Sequence, residues 1–248
     1  IFFNSACLAR LKGSQVAIAG HVVAVSTKFS DNGSSAAPFT IASLGSDGGD
    51  AGDTVVIPNA YFSMPIGEQW TVGVGLNAPF GLATEYDADW VGRFQGIKSE
   101  LTTININPTV AYRINDAVSV GLGVNYQTLD AELTNKVNGV ALNPGFAGQE
   151  FDAKLEGDDD AFGWNAGVLF NVTDAARIGV SYRSTIEYTL EGDLSITTAG
   201  GTSLLNVPVT ADITMPDSFS VSAVSALSDR LELLGDVTLT RWSEIQNL

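Results

Sequence analysis

Histidines, cysteines and clustered carboxylates most often carry catalysis or hold metal, and this chain is sparing with the first two. His21 is the single histidine and lies in an apolar run, with no serine or cysteine partner that would make a nucleophilic site. Cys7 is alone, so no internal disulfide can form. Asp158, Asp159 and Asp160 are the densest carboxylates. Hard cations seek such oxygens, but the run lacks the spacing of a calcium loop and reads as a solvated charge run. No catalytic residue, metal site or cofactor is expected, and the chain does not read as an enzyme. What remains is a pair of strand breakers, Pro79 and Gly81, and a few isolated cations, Arg93 and Lys136 among them.

The segments that would position these residues alternate with period two. In Thr103–Ile114, Ile104, Ile106, Val110, Tyr112 and Ile114 face one way and Asn105, Asn107, Thr109, Ala111 and Arg113 the other. In Ala117–Thr128 the apolar face is Val118, Val120, Leu122, Val124 and Tyr126; in Phe162–Val172 it includes Phe162, Trp164, Val168 and Phe170. In Arg177–Glu191 the alternation puts Ile178, Val180, Tyr182, Ile186, Tyr188 and Leu190 on one face. Such runs are about ten residues or longer, against five or six in most soluble strands. Ten residues rise roughly 33 Å, or about 24 Å at a ~45° tilt, which matches the apolar band of an outer-membrane barrel. About nine strands are expected, from Gln15–Phe29 to Leu231–Trp242, and further strands are expected after Leu248 because an open edge in hydrocarbon is not viable.

The connections alternate too. Short turns at Pro65–Gln69, Asn115–Asp116, Thr173–Ala176 and Ser228–Arg230 interleave with long connections at Ser30–Thr54, Gly81–Lys98, Leu133–Asp160 and Gly192–Asn206. Transmembrane barrels have short periplasmic turns and long outer loops. The acids, among them Asp31, Asp47, Asp50, Asp53, Glu85, Asp87, Asp89, Glu150, Asp152 and Glu156, are read as loop residues kept off the lipid surface, where charge is costly. Charged residues make up only 16%, below the roughly 25% of soluble domains, and the net charge of −16 excludes nucleic acid as a partner.

The chain resembles the FadL/TodX family of outer-membrane transporters for long-chain fatty acids and aromatic hydrocarbons. The resemblance is carried by Pro58-Asn59-Ala60-Tyr61-Phe62, by the run from Asn77 to Tyr86, and by Ala111–Asn115, Gly121–Asn125 and Phe162–Gly167. It continues in Tyr182-Arg183-Ser184, Met215-Pro216-Asp217 and Thr240–Ser243. It implies an all-β fold: a transmembrane, antiparallel, up-and-down β-barrel, fourteen-stranded in the family, closed by an N-terminal hatch. Residues 1–14 would be the tail of the hatch and 15–248 the N-terminal part of the barrel. The implied function is passive diffusion of hydrophobic compounds through an apolar pocket and out sideways where one strand kinks inward.

The resemblance also places the site. The inward kink falls at Phe80-Gly81, where Pro79 removes a ladder donor and Gly81 suits a bend. Asn4-Ser5-Ala6 aligns with an Asn-Pro-Ala hatch motif that lies against the kink; Ser5 replaces the proline, which frees φ and restores a donor. The family's basic ligand falls near Asn135, which leaves Lys136 and Arg93 as head-group candidates and an uncharged substrate open. Arg93 is alternatively a loop-stabilising partner of Glu85 or Asp87. The implied partners are a hydrophobic small molecule, outer-membrane lipid and lipopolysaccharide, with a monomeric barrel. A general diffusion porin is the alternative, and a detergent-free β-sandwich adhesin a more distant one.

Overall fold

The structure, a computed structural model, describes residues 1–35 and 44–245. Among these described residues a short 3₁₀ turn, Ser5–Arg10, precedes twelve antiparallel strands in one sheet. These are β1 (Gln15–Ala24), β2 (Thr54–Ile66), β3 (Trp70–Asn77), β4 (Gly81–Glu85), β5 (Lys98–Arg113) and β6 (Val118–Asn138). They continue with β7 (Glu150–Asn171), β8 (Ala176–Arg183), β9 (Ile186–Thr197), β10 (Ser203–Met215), β11 (Ser218–Ser228) and β12 (Leu231–Thr240). β3 and β4 both pair with β5, β8 and β9 both pair with β7, and β10 and β11 follow β9 and β8. Each of these three couples is one interrupted pass, so the twelve strands make the nine passes expected. β1 and β12 are the edges of the sheet.

In the lower part of the sheet, nearest the short turns, the burial of a soluble protein is turned inside out. Ile104, Leu122 and Phe162 are 48%, 53% and 69% exposed on the outer face, whereas Asn105, Asn107 and Asn125 on the inner face are fully buried. The inner side chains satisfy one another: Asn107 Nδ2 donates to Asn165 Oδ1 at 2.8 Å, Asn125 Nδ2 to the same oxygen at 3.2 Å, and Thr109 Oγ1 to Asn107 Oδ1 at 3.0 Å. Ring pairs Trp70–Tyr112, Tyr126–Phe162 and Trp164–Tyr182 stand on the outer face, the placement of interfacial girdles.

Above the Tyr126–Phe162 pair the polarity inverts. The outer face of β7 runs Asp152, Lys154, Glu156, Asp158, Asp160 and then Phe162, Trp164; the inner face of β6 passes from Asn125 and Gln127 to Leu129 and Ala131. Strand here rises out of the apolar band into water, with charge outside and grease inside. The long connections are accordingly shorter than the sequence suggested. Leu133–Asp160 is mostly strand, and only Gly139–Gln149 is not; between β9 and β10 the loop is 198–202. Asp152, Glu156 and Asp158–Asp160 are strand residues and not loop residues. Within Ser30–Thr54, residues 36–43 lie outside the described residues.

The three interrupted passes reach the inversion by a backbone device, β10/β11 keeping register with β8/β9. The register of β8/β9 against β7 slips by one residue between Asn165↔Arg183 and Asp158↔Glu191, across Ser184-Thr185. An extra residue flips every later side chain to the other face. Ile178 and Tyr182 therefore face outward, while Ile186, Tyr188 and Leu190 are buried inside, which corrects the single apolar face read from Arg177–Glu191. β3/β4 carries the same slip between Asn77↔Asn105 and Gly81↔Thr102.

Candidate functional site

The N-terminal segment packs against the lower inner face of β5, β6 and β7, where a plug would sit. Asn4 caps the Ser5–Arg10 turn, accepting from Ala6 N at 2.9 Å, and its Nδ2 donates to the carbonyls of Val168 and Val180 at 3.2 Å each. Inward-facing glycines make room for it. A Cβ on Gly121 would fall 2.4 Å from the backbone nitrogen of Ala6, and one on Gly167 2.2 Å from Asn4 Oδ1. Leu8 and Ala9 are buried with Ala111, Arg10 bonds Asn171 and the Arg113 guanidinium bonds the Ala9 carbonyl. Asn4, Ser5 and Ala6 thus sit on the β6–β8 wall; the residues that face Pro79 and Phe80 across a cavity are Phe2 and Phe3.

The break between β3 and β4 covers Ala78, Pro79 and Phe80. It is stapled by a side chain that the sequence reading passed over. Thr103, fully buried, accepts from Phe80 N at 3.0 Å and donates to the Phe80 carbonyl at 2.7 Å. Among the described residues β2 pairs with β3 only from Ala60 onward and β4 pairs with β5 alone, so Thr54–Asn59 has β1 as its one strand partner there. A seam in the wall opens between β2 and β4, beside Phe80 and Gly81. The Phe80 ring points inward, edge-on to Trp242 at 6.1 Å, and packs against the buried cluster of Leu129, Ile186, Tyr188, Leu190, Ile213 and Met215.

Two cavities flank that packing. The upper, about 370 Å³, is lined by Leu82, Leu101, Leu133, Leu155, Leu190 and Ile213 among others. The lower, about 200 Å³, lies among Phe2, Pro79, Phe80, Arg183, Met215 and Trp242. The cluster of Leu129, Ile186, Tyr188, Leu190, Ile213 and Met215 separates them. Arg183, inward on β8, ties the lower cavity to the plug: it donates to the Phe2 carbonyl at 3.0 Å, bonds Asn125, and lies 4.2 Å over the Phe2 ring. Only its place within Tyr182-Arg183-Ser184 marked it in the sequence.

The two cations proposed as head-group contacts are already engaged. Lys136 points to the outer face of β6 and pairs with Asp152 directly opposite. Arg93 is buried, with a bidentate bond to Glu150 (2.9 and 2.7 Å) and bonds to the carbonyls of Leu44 and Trp90. Its carboxylate partner is Glu150, not Glu85 or Asp87. The guanidinium holds the Glu150 carboxyl below the usual carboxylate range, outweighing the opposing effect of burial. A carboxyl whose folded pKa is depressed adds stability above its unfolded value and loses it as pH falls through the folded one. The outer loops should therefore loosen below about pH 4. Arg93→Met should cost about 2–3 kcal/mol of local stability at neutral pH and abolish that acid step. Protease cutting in residues 86–97 against pH checks it; an unchanged acid profile in the variant would remove the clamp from the account.

A sheet greasy outside and polar inside, with girdles at both margins, an N-terminal segment seated on its lower inner face and an apolar cavity above, is the wall of an outer-membrane β-barrel. Over residues 1–248 the chain matches the family described as outer membrane protein transport protein (OMPP1/FadL/TodX), and it belongs to that family. It is 28% identical over 225 residues to a long-chain fatty acid transport protein of Salmonella typhi, covering 82% of this chain and 52% of the relative. Among solved structures it is similar to a Pseudomonas aeruginosa FadL homologue (TM-score 0.85, 21% identity, 98% of this chain and 64% of that one). It is also similar to the toluene transporter TodX of Pseudomonas putida (TM-score 0.69, 17% identity, 99% and 66%). The chain spans about half the length of that curated relative and just under two thirds of those solved chains. The family resides in the outer membrane, as the inverted burial requires.

Proposed function

We propose that the protein carries hydrophobic small molecules, fatty acids or aromatic hydrocarbons, passively across the outer membrane. A molecule enters the upper cavity from the outer loops, passes the cluster around Leu129 and Tyr188, reaches the lower cavity beside Phe80, and leaves sideways through the seam between β2 and β4. The observation that carries this reading is the inversion: the interior becomes apolar at the level where the exterior becomes charged. Each CH₂ moved from water into such an interior gains roughly 0.8 kcal/mol, which a water-filled pore would not supply. A sideways exit keeps an apolar molecule out of the periplasm and delivers it to lipid.

A general diffusion porin is disfavoured by the plug, which brings Leu8 and Ala9 onto the lower inner face, and by the asparagine network of the wall beside it. Liposomes of outer-membrane lipid carrying the intact protein separate the readings. Labelled oleate or toluene should equilibrate at least tenfold faster than in empty liposomes, while maltose and arabinose do not. Sugar entry at porin-like rates, or oleate and toluene both failing to enter, overturns the proposal.

A further inference from the structure

Cross-strand pairing lines up one tier of inward side chains at the boundary between the polar plug and the apolar cluster. Asn77 on β3 pairs with Asn105 on β5, Asn105 with Gln127 on β6, and Gln127 with Ala161 on β7. Ala161 packs against the cluster that holds Tyr188, whose own partner on β10 is Ile213. Four polar atoms of this tier have no hydrogen-bond partner among the described residues: Asn77 Nδ2, Asn105 Oδ1, Gln127 Nε2 and Tyr188 Oη. Asn105, Gln127 and Tyr188 are 0%, 1% and 2% exposed. The Tyr188 hydroxyl and the Gln127 amide face each other closely enough to interact, though neither makes a bond of full geometry, and Gln127 also lines the lower cavity.

Asn105 Nδ2 donates to Gln127 Oε1 at 3.1 Å, and Tyr61 bonds Asn77 Oδ1. Turning both amides of the Asn105–Gln127 pair keeps their mutual bond and offers Gln127 Oε1 to the Tyr188 hydroxyl; in either arrangement Asn105 keeps one amide atom without a partner, and Asn77 Nδ2 is another. Buried polar groups in folded proteins are nearly always paired. Apolar neighbours crowd this tier from above and below: Leu129 follows Gln127 on the inner face of β6, and Leu190 and Ile186 flank Tyr188 on either side on β9. Gln127 pairs with Asn105, but nothing in the packing calls for the Tyr188 hydroxyl, since Phe there would extend the cluster.

We infer that Gln127, Tyr188 and Asn105 form a hydrogen-bonding site for the oxygen-bearing head group, carboxyl or hydroxyl, of an amphiphile whose tail lies along the apolar cluster. The inference rests on the transport reading and sharpens it: the protein selects amphiphiles over bare hydrocarbons. Gln127 Nε2 and Tyr188 Oη donate to the head-group oxygen, and Asn105 Oδ1 accepts from a hydroxyl or a protonated carboxyl. The sequence carries a trace of the site, since Gln127-Thr128 breaks the strict alternation of β6 at this height.

The test is binding of oleate, oleyl alcohol and 1-octadecene to the intact protein in detergent, for wild type, Tyr188→Phe and Gln127→Met. Both substitutions keep size; Tyr188→Phe removes a donor alone, and Gln127→Met removes a donor together with the acceptor of Asn105 Nδ2. Each should weaken oleate and oleyl alcohol about three- to tenfold and leave 1-octadecene within about twofold. Equal losses for all three ligands would assign these residues a packing role, and no loss for oleate and the alcohol would place the head group elsewhere; either overturns the site. Wild type that binds none of the three overturns the transport reading itself, whereas wild type that binds all three with indifferent variants overturns only the head-group site.

Discussion

Deleting Ala78 should stop uptake while leaving ligand binding in place. Between Asn77 and Gly81 the chain holds one residue more than β5 holds between Asn105 and Thr102. That extra residue sends Phe80 inward and pulls β4 away from β2. Removing one residue restores a continuous register, and β4 can then extend the β2–β3 ladder along Thr54–Asn59. Sealing the seam with roughly three ladder hydrogen bonds gains about 3 kcal/mol, more where lipid replaces water, which lowers the open fraction some hundredfold. Oleate transfer into liposomes should fall by about two orders of magnitude, while its affinity in detergent changes by less than about threefold. Undiminished transfer would place the exit elsewhere. Pro79→Ala is the milder companion: it returns the backbone donor without removing the extra residue, so the staple from Thr103 persists and transfer should fall only a few-fold.

Much of this wall was legible because lipid imposes a rule with few exceptions. Ile104 and Ile106 against Asn105 and Asn107 is a pattern that only one arrangement of inside and outside accommodates. The inversion was harder to see. In β6 and β7 it is written as a slip of phase, at Gln127-Thr128 and at Asp160-Ala161-Phe162, with no change in the backbone. In β8/β9 the apolar residues keep their phase and the backbone slips at Ser184-Thr185, so a reading by parity alone puts Tyr182 and Tyr188 on one face. The two devices give the same result, and no local sequence rule distinguishes them. Acids on long strands were taken for loops because charge usually marks loops; beyond the apolar band, the outer face of a strand is as wet as a loop. The partners of Arg93 and Arg183 were out of reach for another reason. Glu150 lies 57 residues from Arg93 and Phe2 lies 181 from Arg183, and only the folded sheet brings them together.

The plug yields the second large effect, and two substitutions should move it in opposite directions. Gly121→Val places a branched side chain where even a Cβ would sit 2.4 Å from the Ala6 backbone. A backbone atom cannot rotate away as a side-chain end can, so the Asn4–Ala9 stretch has to leave its seat. Leu8, 1% exposed, loses its burial, at a cost of about 2–3 kcal/mol, together with the Asn4 bonds to Val168 and Val180. The lower lumen should then admit small sugars, raising arabinose entry into liposomes at least tenfold, and residues 1–14 should become open to protease. Ser5→Pro should do the reverse. Ser5 opens the 3₁₀ turn, where proline is favoured, and its buried hydroxyl has no partner among the described residues. Asn4 before it is already extended (φ −152°, ψ 111°), as a residue preceding proline must be. Fixing φ there should stabilise the seated plug by about 0.4–1 kcal/mol and slow protease cutting two- to fivefold. Because the two residues touch, the double variant should fall short of the sum of the singles. If Gly121→Val admits no sugar while its N-terminus is readily cut, the asparagine network and not the plug is the barrier, and the lateral route no longer depends on the plug staying seated.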